Sequence, residues 1–199
     1  MDAKRRETFM LPLLLAGPAL EPISLAEAKA WLRIDDNAQD DGVSALVTAA
    51  RLIIEATTRR LLITQTWRLG FDAWPCGDVI KLPLAPLQTV AAVSVFDAAG
   101  VAHALPASNY FVDASPEAAR LAFLTQPPQP GRAIAGIAID VVVGYGASPS
   151  SVPEPLRHAI RMLVTRWFES RGDVETDVIA EKLPGVAAAL IAPYRRLRA

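Results

Sequence analysis

From Leu156 onward, apolar side chains fall at Leu156, Ile160, Leu163, Val164, Trp167 and Phe168. These steps of four, three, one, three and one follow the 3.6-residue period of a helix with one buried face. Pro153 and Pro155 suit its first turn, where no intrahelical N–H is lost. Glu154 complements the positive end of the helix, and Gly172 suits its C-cap. The pattern predicts a helix over 153–171 whose core face holds Leu156, Ile160, Leu163 and Trp167. Its arginines fall elsewhere on the wheel. Trp, Phe and Arg together are the types enriched at interfaces, so part of this helix is also a candidate contact surface.

Two earlier segments share that period. Ser24 and Glu27 form an S-x-x-E capping box, with Ile23 placed to staple onto the first turn. A helix over 24–34 follows, with Leu25, Ala28, Trp31 and Leu32 as its buried stripe. The next spans 43–62, with Val43, Leu46, Val47, Ala50, Ile53, Ile54, Thr57 and Leu61 on one face, and it is rich in alanine. The acidic loop between them, "DDNAQDDG", is read as capping the second helix. It lacks the glutamate that a calcium loop carries at its twelfth position, where Leu46 stands.

At Thr64 the period changes to two. "TQTWRLGF", "DVIKLPL", "TVAAVSVFD", "NYFVD", "RLAFL" and "AIAGIAIDVVVGYG" read as short strands, punctuated by Pro and Gly and by a turn at Ala98-Ala99-Gly100. They predict an antiparallel sheet region inserted between helices. The expected fold is α+β: a core of three main helices, an inserted antiparallel β-sheet region, and extended arms at both ends. The expected divisions are an N-terminal arm over 1–23, a helical core from 24–63 and 151–172, a β region over 64–150, and a C-terminal arm over 173–199. A short helical stretch near 186–191 and the final "PYRRLRA" stand out in that last arm.

Composition removes several function classes. With 199 residues the chain suits one sizeable domain or a domain with arms. Net charge is −1, so no overall field points to nucleic acid. Cys76 is the only cysteine, which excludes an intrachain disulfide and suits a reducing compartment. With His103 and His158 the only histidines, no zinc spacing can be assembled. The basic start and apolar run at the N-terminus resemble a secretory signal, but Pro12, Glu7 and Pro18 argue against one, and Met10 is an equally good start. No apolar run reaches the length of a membrane span.

No reactive groups converge. "GYGASPSS" is no nucleophile elbow, no phosphate-binding glycine loop follows a strand, and the acidic loop gives no reason for a raised carboxyl pKa. His158 is read as an exposed, ion-paired residue near Glu154. We expect no enzyme activity and no catalytic, metal or cofactor site. The alternative reading, a small nucleic-acid-binding or regulatory helical module, lacks a base-reading helix after a short turn and an aromatic stacking array.

The segments "EPISLAEAKAWLRID", "LITQTWRLGFDAWP" and "VVVGYG" followed by "VPEPLRHAIRMLVTRWFESR" resemble the head–tail connector, or adaptor, proteins of long-tailed bacteriophages, prophages and gene transfer agents. The likeness covers about residues 19–172 and is loose beyond Gly172. It implies a structural component of the virion or phage-like particle neck, assembled in the bacterial cytoplasm. Its implied partners are further copies of itself in a ring of twelve, the portal protein, the next neck, stopper or tail-terminator protein, and DNA passing through without sequence specificity. No membrane is implied. In such a ring the helical part makes the subunit contacts and the C-terminal segment reaches the portal. Tyr194, Arg195, Arg196, Leu197 and Arg198 are then portal-docking candidates, and Arg157, Arg161, Arg166 and Arg171 are candidates for the subunit interface or channel surface.

Overall fold

A computed structural model of the chain describes residues 11–196 apart from positions 76, 78, 117 and 171–184. Gly172, Arg171, Leu197, Arg198, Cys76 and both proposed start methionines therefore lie outside the described residues. The fold is α+β, and the chain divides into two compact units. One runs from Thr64 to Gly144 together with the segment up to Gly17, and the other takes Pro18–Ile63 with Tyr145 onward.

The helical unit contains α1 (Leu25–Leu32), α2 (Asp40–Thr58), α3 (Glu154–Glu169) and α4 (Gly185–Ile191). Ser24 caps α1 by accepting the Glu27 N–H at 3.1 Å. Only that half of the capping box forms, because the Glu27 carboxylate turns instead to two arginines of α3. Ile23 is wholly buried. Arg33, in the left-handed region at φ 57°, ends the helix. The core is built from Val43, Val47, Ala50 and Ile54 of α2, from Leu156, Ala159, Ile160, Leu163 and Val164 of α3, and from Ala187 and Ile191 of α4. Each large aliphatic here contributes roughly 1.5–3 kcal/mol by leaving water.

Several helix positions differ from the expected stripes. α2 begins three residues before the expected start, inside the acidic loop, whose Gln39 stands at the N-cap but makes no side-chain capping bond. Its buried face holds Arg51 and Glu55 as well as the aliphatics, which turns Ile53 outward and leaves Leu62, rather than Leu61, buried. Trp31 is exposed on α1 rather than buried, held at its indole N–H by Thr165 Oγ1 at 2.9 Å. Trp167 is half-buried at the margin of the core. His158 is half-buried and stacks edge-on against Trp31 at 5.6 Å, while Glu154 is taken by arginines.

The β unit holds two antiparallel sheets. The larger contains β1 (Leu11–Ala16), β2 (Gln65–Phe71), β4 (Leu87–Phe96), β5 (Ala102–Ala104) and β8 (Ile137–Val143), in the order β1-β2-β8-β4-β5. The smaller contains β3 (Val79–Lys81), β6 (Tyr110–Asp113) and β7 (Arg120–Phe123), in the order β3-β7-β6. Alternation in β8 sends Ile137, Ile139, Val141 and Val143 to one face, all wholly buried. Leu69 and Phe71 of β2 stand opposite Ile139 and Ile137. On the other face Arg68 is opposite Asp140 and makes a two-pronged ion pair at 2.7 and 2.8 Å. The β4–β5 turn is held by Asp97, whose Oδ1 accepts the N–H groups of Ala99 and Val101 at 2.9 Å, with Gly100 at φ 83°. Residues 11–16 of the segment read as an arm pair with β2 as an edge strand.

Candidate subunit-contact and docking surfaces

Arg157 and Arg161 sit one turn apart on α3 and project toward α1. Arg157 donates to both oxygens of Glu27 at 2.8 and 3.0 Å, to Glu154 at 2.8 Å, and to the Pro22 carbonyl at 3.0 Å. Arg161 pairs with Glu27 and, at 2.6 Å, with Glu154. Two guanidinium groups and two carboxylates thus form one network that ties α1 and the chain before it to α3. Of the four arginines that the sequence offered for a subunit or channel surface, Arg157 and Arg161 are engaged within the protomer in this way. Arg166 is exposed near the end of α3, and Arg171 lies beyond the described residues.

The charges in this network perturb one another. Burial acts to raise the Glu27 pKa, but the hydrogen bond from Arg161 and the charge of Arg157 outweigh it and hold the carboxyl below its ordinary 4.5. The Arg161 hydrogen bond does the same for Glu154. A carboxyl depressed by folding stabilises the fold above its unfolded pKa and loses that contribution as pH falls through its folded one. The melting temperature of the wild type is therefore expected to drop below about pH 4.5. A Glu27→Gln, Glu154→Gln double variant should show a shallower drop, read by thermal melts across pH 2.5 to 7.

A second charged cluster is centred on Arg51 and Glu55 of α2. Arg51 donates to Glu21 at 2.7 Å and to Glu55 at 2.9 Å, and Glu55 also accepts the Leu62 N–H at 2.8 Å. Burial pushes the Glu55 pKa up, against the opposing pull of the Leu62 N–H and Arg51. Apolar periodicity cannot reveal this pair, since its members occupy helix positions that a pattern reads as polar and outward.

The C-terminal candidates also meet the helical unit. Tyr194 packs half-buried on the core, and Arg60 Nε donates to its carbonyl at 2.8 Å. The Arg196 N–H donates to the Thr58 carbonyl at 3.1 Å, at the end of α2. Arg195 is exposed. Leu197 and Arg198 lie outside the described residues. The chain up to Arg196 is thus held to α2 by backbone acceptors, which no side-chain pattern announces.

One surface escaped the sequence reading. The outward side of α2 carries Ala45, Ala49, Leu52, Ile53 and Ala56, with Leu52 53% exposed. This is a second apolar stripe on a helix whose opposite side is already core. It leaves α2 apolar on two sides, the pattern of a helix covered by something outside its own unit. Among the described residues, no group of three or more His, Cys, Asp or Glu could hold a metal ion, and no helix is long and apolar enough to cross a membrane.

No family model matches this chain, and no curated protein does. Solved structures do match. It is similar to a chain in the neck of an empty gene transfer agent particle computed with C6 symmetry, with 29% identity over 95% of this chain and 97% of that one, and a TM-score of 0.80. A chain in the virion of the native gene transfer agent particle matches with the same values. A chain in the neck of the native particle computed with C12 symmetry is 30% identical over 94% of this chain and 97% of that one, with a TM-score of 0.71. The chain is a structural component of a particle neck. It belongs to the head–tail connector, or adaptor, family that gene transfer agents carry.

Proposed function

We propose that this protein is the head–tail adaptor of its particle. Copies form a ring below the portal, extend the channel through which DNA passes, and offer a platform to the next neck or tail protein. The observation that carries this reading is end-to-end likeness to chains in neck assemblies of sixfold and twelvefold symmetry. The exposed apolar stripe of α2 supports it, because a ring must cover such a surface between neighbours. Arg166 and Arg171 are the arginines of α3 and its continuation that we assign to the subunit or channel side. Arg195, Leu197 and Arg198 reach the portal, with Tyr194 and Arg196 fixing the base of that segment on α2. A near-neutral chain carries no field that would grip DNA tightly, which suits passage without sequence reading.

The test is electron microscopy of the purified chain mixed with its portal. We expect a closed ring of this chain seated on the portal, twelve copies to one ring. Separate particles with no ring on any portal would overturn the adaptor reading.

A further inference from the structure

We propose that β1 of one copy docks on the outer face of the small sheet of the next copy, making a head-to-tail contact around the ring. The inference rests on the ring reading above and adds which surfaces meet.

Val79 of β3 and Phe111 of β6 both stand opposite Ala122 of β7, which places these three side chains in one row on one face. The next residues along, Ile80 and Leu121, point to the opposite face and are buried. The small sheet therefore has its covered side on Ile80 and Leu121 and an open side on Val79 and Phe111. Phe111 is 62% exposed, and Leu124, just past β7, is 65% exposed. Beside the apolar row lies a charged one, Lys81, Arg120 and Asp113, with the last two ion-paired at 2.6 Å. An apolar centre beside a polar margin is the layout of a contact surface.

The counterpart is on the same unit. β1 is an edge strand that carries Leu13, Leu14 and Leu15 in succession. Neighbouring side chains of a strand point to opposite faces, yet all three leucines are exposed, Leu13 by 56%. Both faces of β1 are therefore uncovered in the protomer. Pro12 and the irregularity between Leu14 and Ala16 blunt the open edge against strand addition, so it is the leucine faces of β1 that are left to be covered.

Together these leucines with Val79, Phe111 and Leu124 expose on the order of 600 Å² of apolar surface, roughly a third of the total that a standard interface buries, so this contact is one part of a larger subunit interface. A second copy is the occupant this arrangement fits. Two unlike patches on one chain, each apolar, let every copy offer one and receive on the other, and such a contact closes into a ring when the rotation allows.

The experiment uses particles produced with variants of the full chain in a Cys76→Ser background. With Leu13→Cys and Phe111→Cys together, oxidised particles should yield a ladder of covalent multimers on a non-reducing gel. Leu13→Asp alone and Phe111→Asp alone should each cut the copies per particle at least tenfold while the purified variants melt like wild type. Combining Leu13→Asp with Phe111→Lys should restore at least half of the copies. A ladder that stops at the dimer would mean like-with-like pairing and overturn the proposal. So would normal incorporation of both single variants without a ladder. Loss in both, with neither rescue nor ladder, would assign the faces to another neck component and also overturn it. If the wild type itself is absent from the neck or present in a single copy, the ring reading fails and this contact falls with it.

Discussion

A Glu55→Ala variant is expected to lose about 3–5 kcal/mol of stability, the cost of removing one partner from a buried ion pair. Glu55 and Arg51 are both nearly excluded from water, and Glu55 also satisfies the Leu62 N–H at the point where the chain leaves α2. Truncation to alanine leaves that N–H without its acceptor and removes half of the Arg51 partnership, although Glu21 remains. Glu55→Gln keeps an acceptor for Leu62 and should cost markedly less. Urea titrations of the two variants against wild type check the ordering. Equal losses would mean that the charge, rather than the acceptor, is what α2 requires.

Two C-terminal truncations should separate fold from attachment. Ending the chain at Ala192 removes Tyr194 from the core margin, together with the Arg60 bond to its carbonyl and the Arg196 bond to Thr58. We expect that variant to lose roughly 2–4 kcal/mol, as for loss of a partly buried aromatic with its hydrogen bonds. Ending it at Arg196 removes only Leu197, Arg198 and Ala199. This shorter cut should leave the melting temperature unchanged and abolish attachment to portal-bearing heads, so that particles fill and stay tailless. Copies bound singly hold weakly and collectively hold well, so loss of a small contact per copy is multiplied around a ring. Tailed particles at normal yield from the shorter chain would move the portal contact onto the helical body.

The period change at Thr64 and its reversal at Pro153 made the α+β order readable, because periods of two and 3.6 sort residues onto faces in different ways. The stripe on α3 was equally readable, since Leu156, Ile160 and Leu163 are all core. Trp31 misled for a definite reason: it lies at the edge of the apolar stripe, and its indole N–H finds Thr165 while the ring stays outside. Arg51 and Glu55 were hidden because charged side chains at helical spacing look solvated whether or not they pair. The engagement of Arg157 and Arg161 depended on Glu27, about 130 residues away in sequence, and no local pattern carries that distance. β1 gave no signal, since three successive leucines show neither alternation nor helical period.

The helical unit is made of two chain segments that flank the β region. During synthesis, α1 and α2 emerge early with half of a core and nothing to pack it against. The β unit has all of its described strands by Val143, whereas α3 and α4 are complete only at Ile191. At typical elongation rates that interval is roughly 2–10 s. The apolar inner face of α2 must wait through it, so the helical unit is the late-maturing part of the molecule and the stage most exposed to holdase chaperones. Because α3 supplies the partners of Glu27 and α4 closes over the core, the helical unit completes its packing only after the whole β region has been made.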